Sequence, residues 1–217
     1  EEIRHLLATC REHFPEGYPL LLTLARTGIR IGEGAGLMWE DVDLDRGFLW
    51  IRRGYSKGRL STPKSGKGRC VDVSRQLRAV LADYQGAKTV EATVQGKTLS
   101  PWVFGGVDGQ PMDYEQFTRR VWTPVLTLAG LRYRGIHQLR HTWASLLLMQ
   151  GESPAYVSKQ AGHSSIKITC DLYGHWIPGA NRQAVDRLDD PEAVLPATGC
   201  NAGATSNDPL PVSTRQI

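Results

Sequence analysis

Three short clusters in this chain combine residue types that handle phosphate and protons. Thr27-Gly28-Ile29-Arg30-Ile31-Gly32-Glu33 sets Arg30 in a turn between two glycines, with Glu33 three residues on. An arginine held by a nearby carboxylate is a fixed planar fork of donors, suited to the two non-bridging oxygens of a phosphodiester. In His137-Gln138-Leu139-Arg140-His141 the i, i+3 spacing puts His137 and Arg140 on one face near a helix start. There the positive end of the backbone dipole adds to anion attraction. An imidazole titrates near neutral pH and exchanges a proton, which an arginine cannot do. The third cluster runs Gly162-His163-Ser164-Ser165-Ile166, with Thr169 and then Tyr173 ten residues beyond His163. Each cluster alone also reads as structural: a surface Arg-Glu pair, a capped helix start, a tyrosine that packs and shows its hydroxyl to solvent.

The elements that must hold these residues follow from periodicity. Residues 3–13 and 18–27 read as helices, the second an apolar run stopped by Gly28, and a third short helix follows Gly32 to about Met38. From Gly47 the pattern turns extended, with Phe48-Leu49-Trp50-Ile51-Arg52-Arg53 and Arg69-Cys70-Val71-Asp72-Val73 flanking a Gly, Ser, Pro and Lys-rich stretch that cannot bury itself. This predicts a small antiparallel sheet with a basic loop. Ser74 caps a helix with Leu77, Val80, Leu81 and Tyr84 on one face. Residues 96–112 are a connection. Asp113 and Gln116 resemble a capping box for a helix carrying Phe117, Val121, Val125 and Leu128. Further helices are expected at 137–150, at 154–161 (Ser153 as cap, Pro154 first) and at 166–174. The predicted fold is α+β, mainly helical, with one small sheet. Residues 177–190 could form a last short helix, and 191–217 read as a flexible tail.

Composition adds exclusions and one positive sign. With 217 residues, 41% of them hydrophobic and 22% charged, the chain suits one globular domain with an appendage. Its apolar stretches fall short of the ~18 residues that span a bilayer, and Glu-Glu-Ile-Arg does not open a signal peptide. The sequence therefore reads as neither inserted nor exported, and a cytoplasmic location is expected. Cys10, Cys70, Cys170 and Cys200 are scattered without a C-x-x-C pair, which suggests neither zinc nor a disulfide framework. The net charge of +4 says little, but residues 46–78 hold ten basic side chains against one acidic. A patch that dense seeks an anionic polymer.

Taken together the clusters match one family in order and spacing. Over about residues 1–176 the sequence resembles the tyrosine recombinases, the phage integrase family. The resemblance rests on T-G-x-R-x-G-E, on G-L-x-W-x-D-V-D from Gly36 to Asp43, on H-x-L-R-H-T, and on G-H-S-S-I with the tyrosine ten residues on. It implies an integrase-type catalytic domain in which Arg30, His137, Arg140, His163 and Tyr173 act on a scissile phosphate. The family's further catalytic lysine lies between two strands, and Lys64 in Thr62-Pro63-Lys64-Ser65-Gly66 is the choice, with Lys57 and Lys67 as competitors. Ala161 stands where the family commonly has Leu, and the basic loop is longer than in compact members.

The resemblance further implies a site-specific DNA recombinase of phages or other mobile elements that works without metal, nucleotide or small-molecule substrate. Tyr173 would attack to give a 3′-phosphotyrosyl link and a free 5′-hydroxyl, which a second strand's 5′-hydroxyl reverses. Arg30 and Arg140 would favour the phenolate and steady the phosphorane. Lys64 would protonate the leaving 5′-oxygen, His137 would take or return the nucleophile's proton, and His163 would bond a non-bridging oxygen. Glu33 is expected to fix Arg30 from behind, and His141 and His175 to be structural. Arg52, Arg53, Lys57, Arg59, Lys67 and Arg69 are the expected contacts to the DNA backbone. A homotetramer on DNA is expected, with 177–190 as a segment exchanged between neighbours. The family's N-terminal clamp domain is expected to be missing from this chain. A calcium-dependent alternative built on Glu40, Asp41, Asp43 and Asp45 fails, because Arg46 stands at the required glycine and Arg52 at the twelfth position. A non-catalytic DNA-binding remnant of the fold remains the competing expectation.

Overall fold

The computed structural model describes residues 1–62, 68–105 and 109–177. Helices α1 (Glu2–His13), α2 (Tyr18–Thr27) and α3 (Ile31–Ala35) are followed by a 3-10 turn at Trp39–Asp41 and five strands. These are β1 (Val42–Asp43), β2 (Phe48–Ile51), β3 (Gly54–Ser56), β4 (Arg59–Ser61) and β5 (Arg69–Asp72). Then come α4 (Arg75–Val94), α5 (Tyr114–Phe117), α6 (Thr123–Leu128), α7 (Gln138–Met149), α8 (Pro154–Ala161) and α9 (Ile166–Tyr173). The mainly helical α+β class with a small antiparallel sheet is as the sequence predicts.

The centre of the core is α2. Its Leu20, Leu21, Leu22 and Leu24 are all buried, against α1, α4 and α7. Burial of a leucine contributes ~2 kcal/mol, so this one helix anchors three others. A second cluster joins Trp143, Ala144 and Leu148 of α7 to Val157 and Ala161 of α8 and to Tyr173 at the end of α9. Arg140 and Tyr173, two of the residues expected to do chemistry, are thus mounted on helices that carry the packing.

The three-stranded sheet runs β1-β2-β5, all antiparallel, with Leu49 opposite Val71 and Ile51 opposite Arg69. Leu49, Ile51 and Val71 point into the core and Trp50 outward, the period-two alternation of a half-buried sheet. Within the stretch expected to be an unstructured basic loop, β3 and β4 form a hairpin that the sequence reading missed. Its turn is Lys57-Gly58, both at positive φ (50° and 72°), as a tight primed turn requires. Arg59, Leu60 and Ser61 of β4 are all exposed, so no hydrophobic alternation announces the strand. Lys64 and Lys67 lie outside the described residues, as do 178–217 with the expected exchange helix and tail.

Most helix boundaries match the capping logic. Ser74 Oγ accepts from the Leu77 N–H at the head of α4, and Ser153 Oγ from the Ala155 N–H at the head of α8. The expected single helix after Asp113 is instead broken by a π turn at Thr118–Trp122 between α5 and α6. Pro124 has no N–H to continue the α-register there. The wider turn sets Trp122 inward, 2% exposed, with its indole N–H donating to Arg134 O at 2.7 Å.

Candidate active site

The site begins where α2 stops. Gly28 ends that helix at φ +63°, and a Cβ there would sit 2.2 Å from Trp143 Cε3. Only glycine allows both the left-handed turn and this approach of α7. The approach brings Arg140 close enough for Nη1 to donate to Gly28 O at 2.7 Å. Arg140 is 3% exposed, and its Nη2 is buried without a hydrogen-bond partner among the described residues. Burial and the nearby charge of Arg30 lower its pKa to about 10.

Arg30 stands at the N-cap of α3. Glu33 reaches back so that its Oε2 accepts from the Arg30 N–H at 2.8 Å and its Oε1 from Arg30 Nη1 at 3.1 Å. The same carboxylate takes a second fork from β5: Arg69 Nη1 donates to Oε1 at 2.9 Å and Nη2 to Oε2 at 2.7 Å. Burial alone would raise the Glu33 pKa, but the bonds and charges of Arg69 and Arg30 outweigh it and hold the pKa below the usual carboxylate range. Glu33 therefore fixes Arg30 as the sequence implies.

Arg69 does something else than expected. Its side chain is only 9% exposed, and Nε donates to Gln160 O at 2.8 Å. With one N–H of each guanidinium nitrogen spent on a protein acceptor, it is a brace between β5, α3 and α8 rather than a backbone contact on the surface. The charge count over 46–78 missed this because Glu33 and Gln160 come from other segments. Gln160 strengthens the brace, its Oε1 accepting from the Asp72 N–H and its Nε2 donating to Asp72 Oδ2, both at 2.9 Å. Gly162 then ends α8 at φ +69°, where a Cβ would meet the Arg69 guanidinium at 2.8 Å. This fit delivers His163 to the pocket.

A pocket of about 340 Å³ is lined by Arg30, His137, Arg140, His141, Gly162, His163, Ser164, Ile168, Leu172 and Tyr173. Five of the six side chains expected to be catalytic meet here, and the sixth, Lys64, falls outside the described residues. His163 Nδ1 is engaged with Thr169 Oγ1 at 2.8 Å, and its ring stacks on Tyr173, centroids 6.5 Å apart and planes 12° off parallel. Burial, then the charges of Arg140, Arg30 and Arg69, push its pKa down to about 4. His137 is lowered too, by burial and then by His141 and Arg140.

Two findings at Tyr173 depart from the sequence reading. The cations do not prevail in the free pocket: Tyr173 is 3% exposed, and burial raises its pKa although Arg140 opposes the shift. The imidazole touching its hydroxyl is that of His141, whose Nδ1 lies 2.7 Å from Tyr173 Oη, and not that of His137. His137 stands one helical turn earlier, edge-on to the His141 ring with centroids 5.2 Å apart. The i, i+4 spacing in the sequence put both rings on one face. Which of them α9 would approach is a tertiary fact.

The other expected contacts are of two kinds. Arg52 and Arg53 face the acidic turn, with Arg52 Nη1 3.3 Å from Asp41 Oδ1, and Arg53 Nη2 2.9 Å from Glu40 Oε1 and 3.5 Å from Asp41 Oδ2. Arg52 also lies over the Trp50 ring, 5.6 Å from its centroid. Lys57 and Arg59 on the hairpin are exposed, with no ion pair among the described residues. Asp43, in the same acidic cluster, caps the turn into β2, its Oδ1 accepting from the Arg46 N–H at 2.8 Å.

The sequence pattern of the phage integrase family matches residues 1–177. The chain belongs to the phage integrase family. It is 30% identical over 208 residues to "Putative defective protein IntQ" of Escherichia coli strain K12, covering 87% of this chain and 52% of that protein. It is 27% identical over 209 residues to "Tyrosine recombinase XerC-like" of Caldanaerobacter subterraneus subsp. tengcongensis, covering 88% and 53%. Among solved structures, the Tn1549 transposon integrase in complex with transposon right end DNA has the same fold, with a TM-score of 0.66 at 17% identity over 85% of this chain and 62% of that one. The chain spans about half the length of the curated relatives it matches. In this integrase family chain no described helix is long and apolar enough to cross a membrane.

Proposed function

We propose that the chain is the strand-cleaving part of a site-specific tyrosine recombinase that breaks and rejoins double-stranded DNA. The observation that carries this reading is the buried, partnerless Nη2 of Arg140 in the same pocket as Arg30, two histidines and Tyr173. An orphaned buried donor is costly, ~1 to 3 kcal/mol, unless an acceptor arrives. A phosphodiester oxygen is an acceptor that Arg140 and Arg30 would share, and the Tn1549 integrase of like fold was solved with DNA.

In this reading Arg30 and Arg140 take the non-bridging oxygens and Tyr173 Oη attacks phosphorus. The 5′-oxygen leaves with a proton from Lys64, and a 3′-phosphotyrosyl link keeps the bond for a second strand to reverse. His163, with Nδ1 held by Thr169, supports one phosphate oxygen through Nε2. Arg52, Arg53, Lys57, Arg59 and Lys67 serve the flanking backbone, in a cytoplasmic protein that assembles as a homotetramer on two duplexes.

The test incubates the 217-residue chain with a pool of nicked duplexes carrying a randomised core, then looks for an SDS-resistant adduct. An adduct is expected, and Tyr173→Phe should abolish it while DNA binding persists. DNA binding with no adduct from the unaltered chain would favour the competing reading, a non-catalytic remnant, to which the name of the IntQ relative lends weight. Lys64→Ala should slow cleavage of an ordinary 5′-oxygen and spare a 5′-bridging phosphorothioate, whose sulfur leaves without a proton. Equal slowing on both would shift the role to Lys57 or Lys67.

A further inference from the structure

The nucleophile's proton needs an acceptor, and the pocket holds three imidazoles. His163 has its Nδ1 on Thr169 Oγ1 and its ring near-parallel to that of Tyr173, centroids 6.5 Å apart, with no hydrogen bond to the hydroxyl among the described residues. His137 meets the edge of His141. Only His141 puts a ring nitrogen on the phenol among the described residues, Nδ1 to Oη at 2.7 Å. That distance is within the range in which a proton passes directly between heavy atoms. The contact is also sheltered, because Tyr173 is buried in the cluster of Trp143, Ala144, Leu148, Val157 and Ala161.

We propose that His141 is a catalytic residue, the group that takes the Tyr173 proton during strand cleavage and returns it during rejoining. This rests on the recombinase reading given above. Nδ1 accepts from the hydroxyl in the neutral tautomer that carries its own proton on Nε2. As the Oη–P bond forms, the hydroxyl proton moves to Nδ1 and the P–O5′ bond breaks, the 5′-oxygen taking its proton from Lys64. In rejoining, an incoming 5′-hydroxyl attacks phosphorus and gives its proton to Lys64, the Oη–P bond breaks, and the Nδ1 proton goes back to Oη.

The surroundings suit a base that must also let go. His141 faces His137 and Arg140 from its own helix, Tyr173 from α9 and His163 from the α8–α9 turn, with Arg30 across the pocket. Burial and then the charge of Arg140 lower its pKa, so it is neutral and ready to accept at physiological pH. Once protonated, the imidazolium stands among arginines, which drives the proton back to the phenolate when the phosphotyrosyl bond opens.

The experiment compares unaltered chain, His141→Gln and His141→Asn in single-turnover cleavage of the nicked pool between pH 6 and 9, with thermal unfolding run alongside to show that each is folded. Gln and Asn keep hydrogen-bonding capacity but cannot take the proton. The expected result is a ~100-fold slower cleavage at pH 7, with the deficit shrinking as pH rises because hydroxide substitutes for the missing base. A deficit equal at every pH, or none, overturns the proposal and leaves His141 a holder of the ring. If the unaltered chain forms no adduct, the recombinase reading fails instead. The His141 assignment is then judged in the free chain: the Tyr173 ¹³Cζ resonance should move as His141 titrates, and a resonance that stays fixed overturns it.

Discussion

Glu33 and Asp41 are both buried carboxylates set between two arginines, yet their pKa values move in opposite directions. Glu33 accepts four side-chain and backbone bonds between 2.7 and 3.1 Å from Arg30 and Arg69, and its pKa is lowered. Asp41 has Arg52 at 3.3 Å and Arg53 at 3.5 Å, but neither oxygen has a partner in hydrogen-bond geometry among the described residues, and burial raises its pKa despite both charges. The difference teaches that in this molecule alignment, more than proximity of charge, decides whether a buried acid is held ionised. The pocket receives the aligned pair, and the acidic turn beside β1 receives the loose one.

Breaking the aligned pair should have the largest effect. Glu33→Gln leaves Arg69 buried without its counter-charge, and ~3 kcal/mol of stability is expected to vanish in urea unfolding, together with the DNA adduct. Next comes acid. A carboxylate whose folded pKa is lowered stabilises the fold fully above its unfolded value, near ~4.3, and loses that contribution as pH falls through the folded pKa. The stability gap between unaltered chain and Glu33→Gln should therefore be widest near neutrality and close below about pH 4. Asp41 has the opposite sign, a penalty present above its raised folded pKa and relieved as pH falls through its unfolded value. Asp41→Asn is accordingly expected to change stability by no more than ~1 kcal/mol near neutral pH, measured in the same urea series. The smallest effect on folding is expected for Lys57→Ser with Arg59→Ser, within ~0.5 kcal/mol. Their loss should instead flatten the salt dependence of DNA binding by roughly two counterions, as filter binding at graded salt would report.

How far the sequence revealed this follows the same division. Local chemistry was legible: Ser153 before Pro154 fixed the start of α8, Ser74 the start of α4, and Gly28 the end of α2, because caps and left-handed turns are decided within a few residues. The convergence of Arg30, Arg140, His163 and Tyr173 was legible only through the family resemblance, since they come from three segments far apart in the sequence. The burial of Arg69 was not legible, because a charge count cannot see a partner 36 residues away. Neither was the β3–β4 hairpin, whose second strand is exposed throughout and carries no alternation, nor the contact of His141 rather than His137 with Tyr173, which depends on where α9 lands.

Gly28 has a consequence for genetics. It bears no side chain and takes no part in any proton or phosphate step, yet every replacement collides with Trp143 and strains the turn whose carbonyl holds Arg140. A saturation screen scored on recombination alone would rank it beside Arg140 and invite a catalytic label. A parallel screen scored on protein abundance would part the two, with Gly28 alleles vanishing from the cell and Tyr173→Phe alleles accumulating as intact but silent protein.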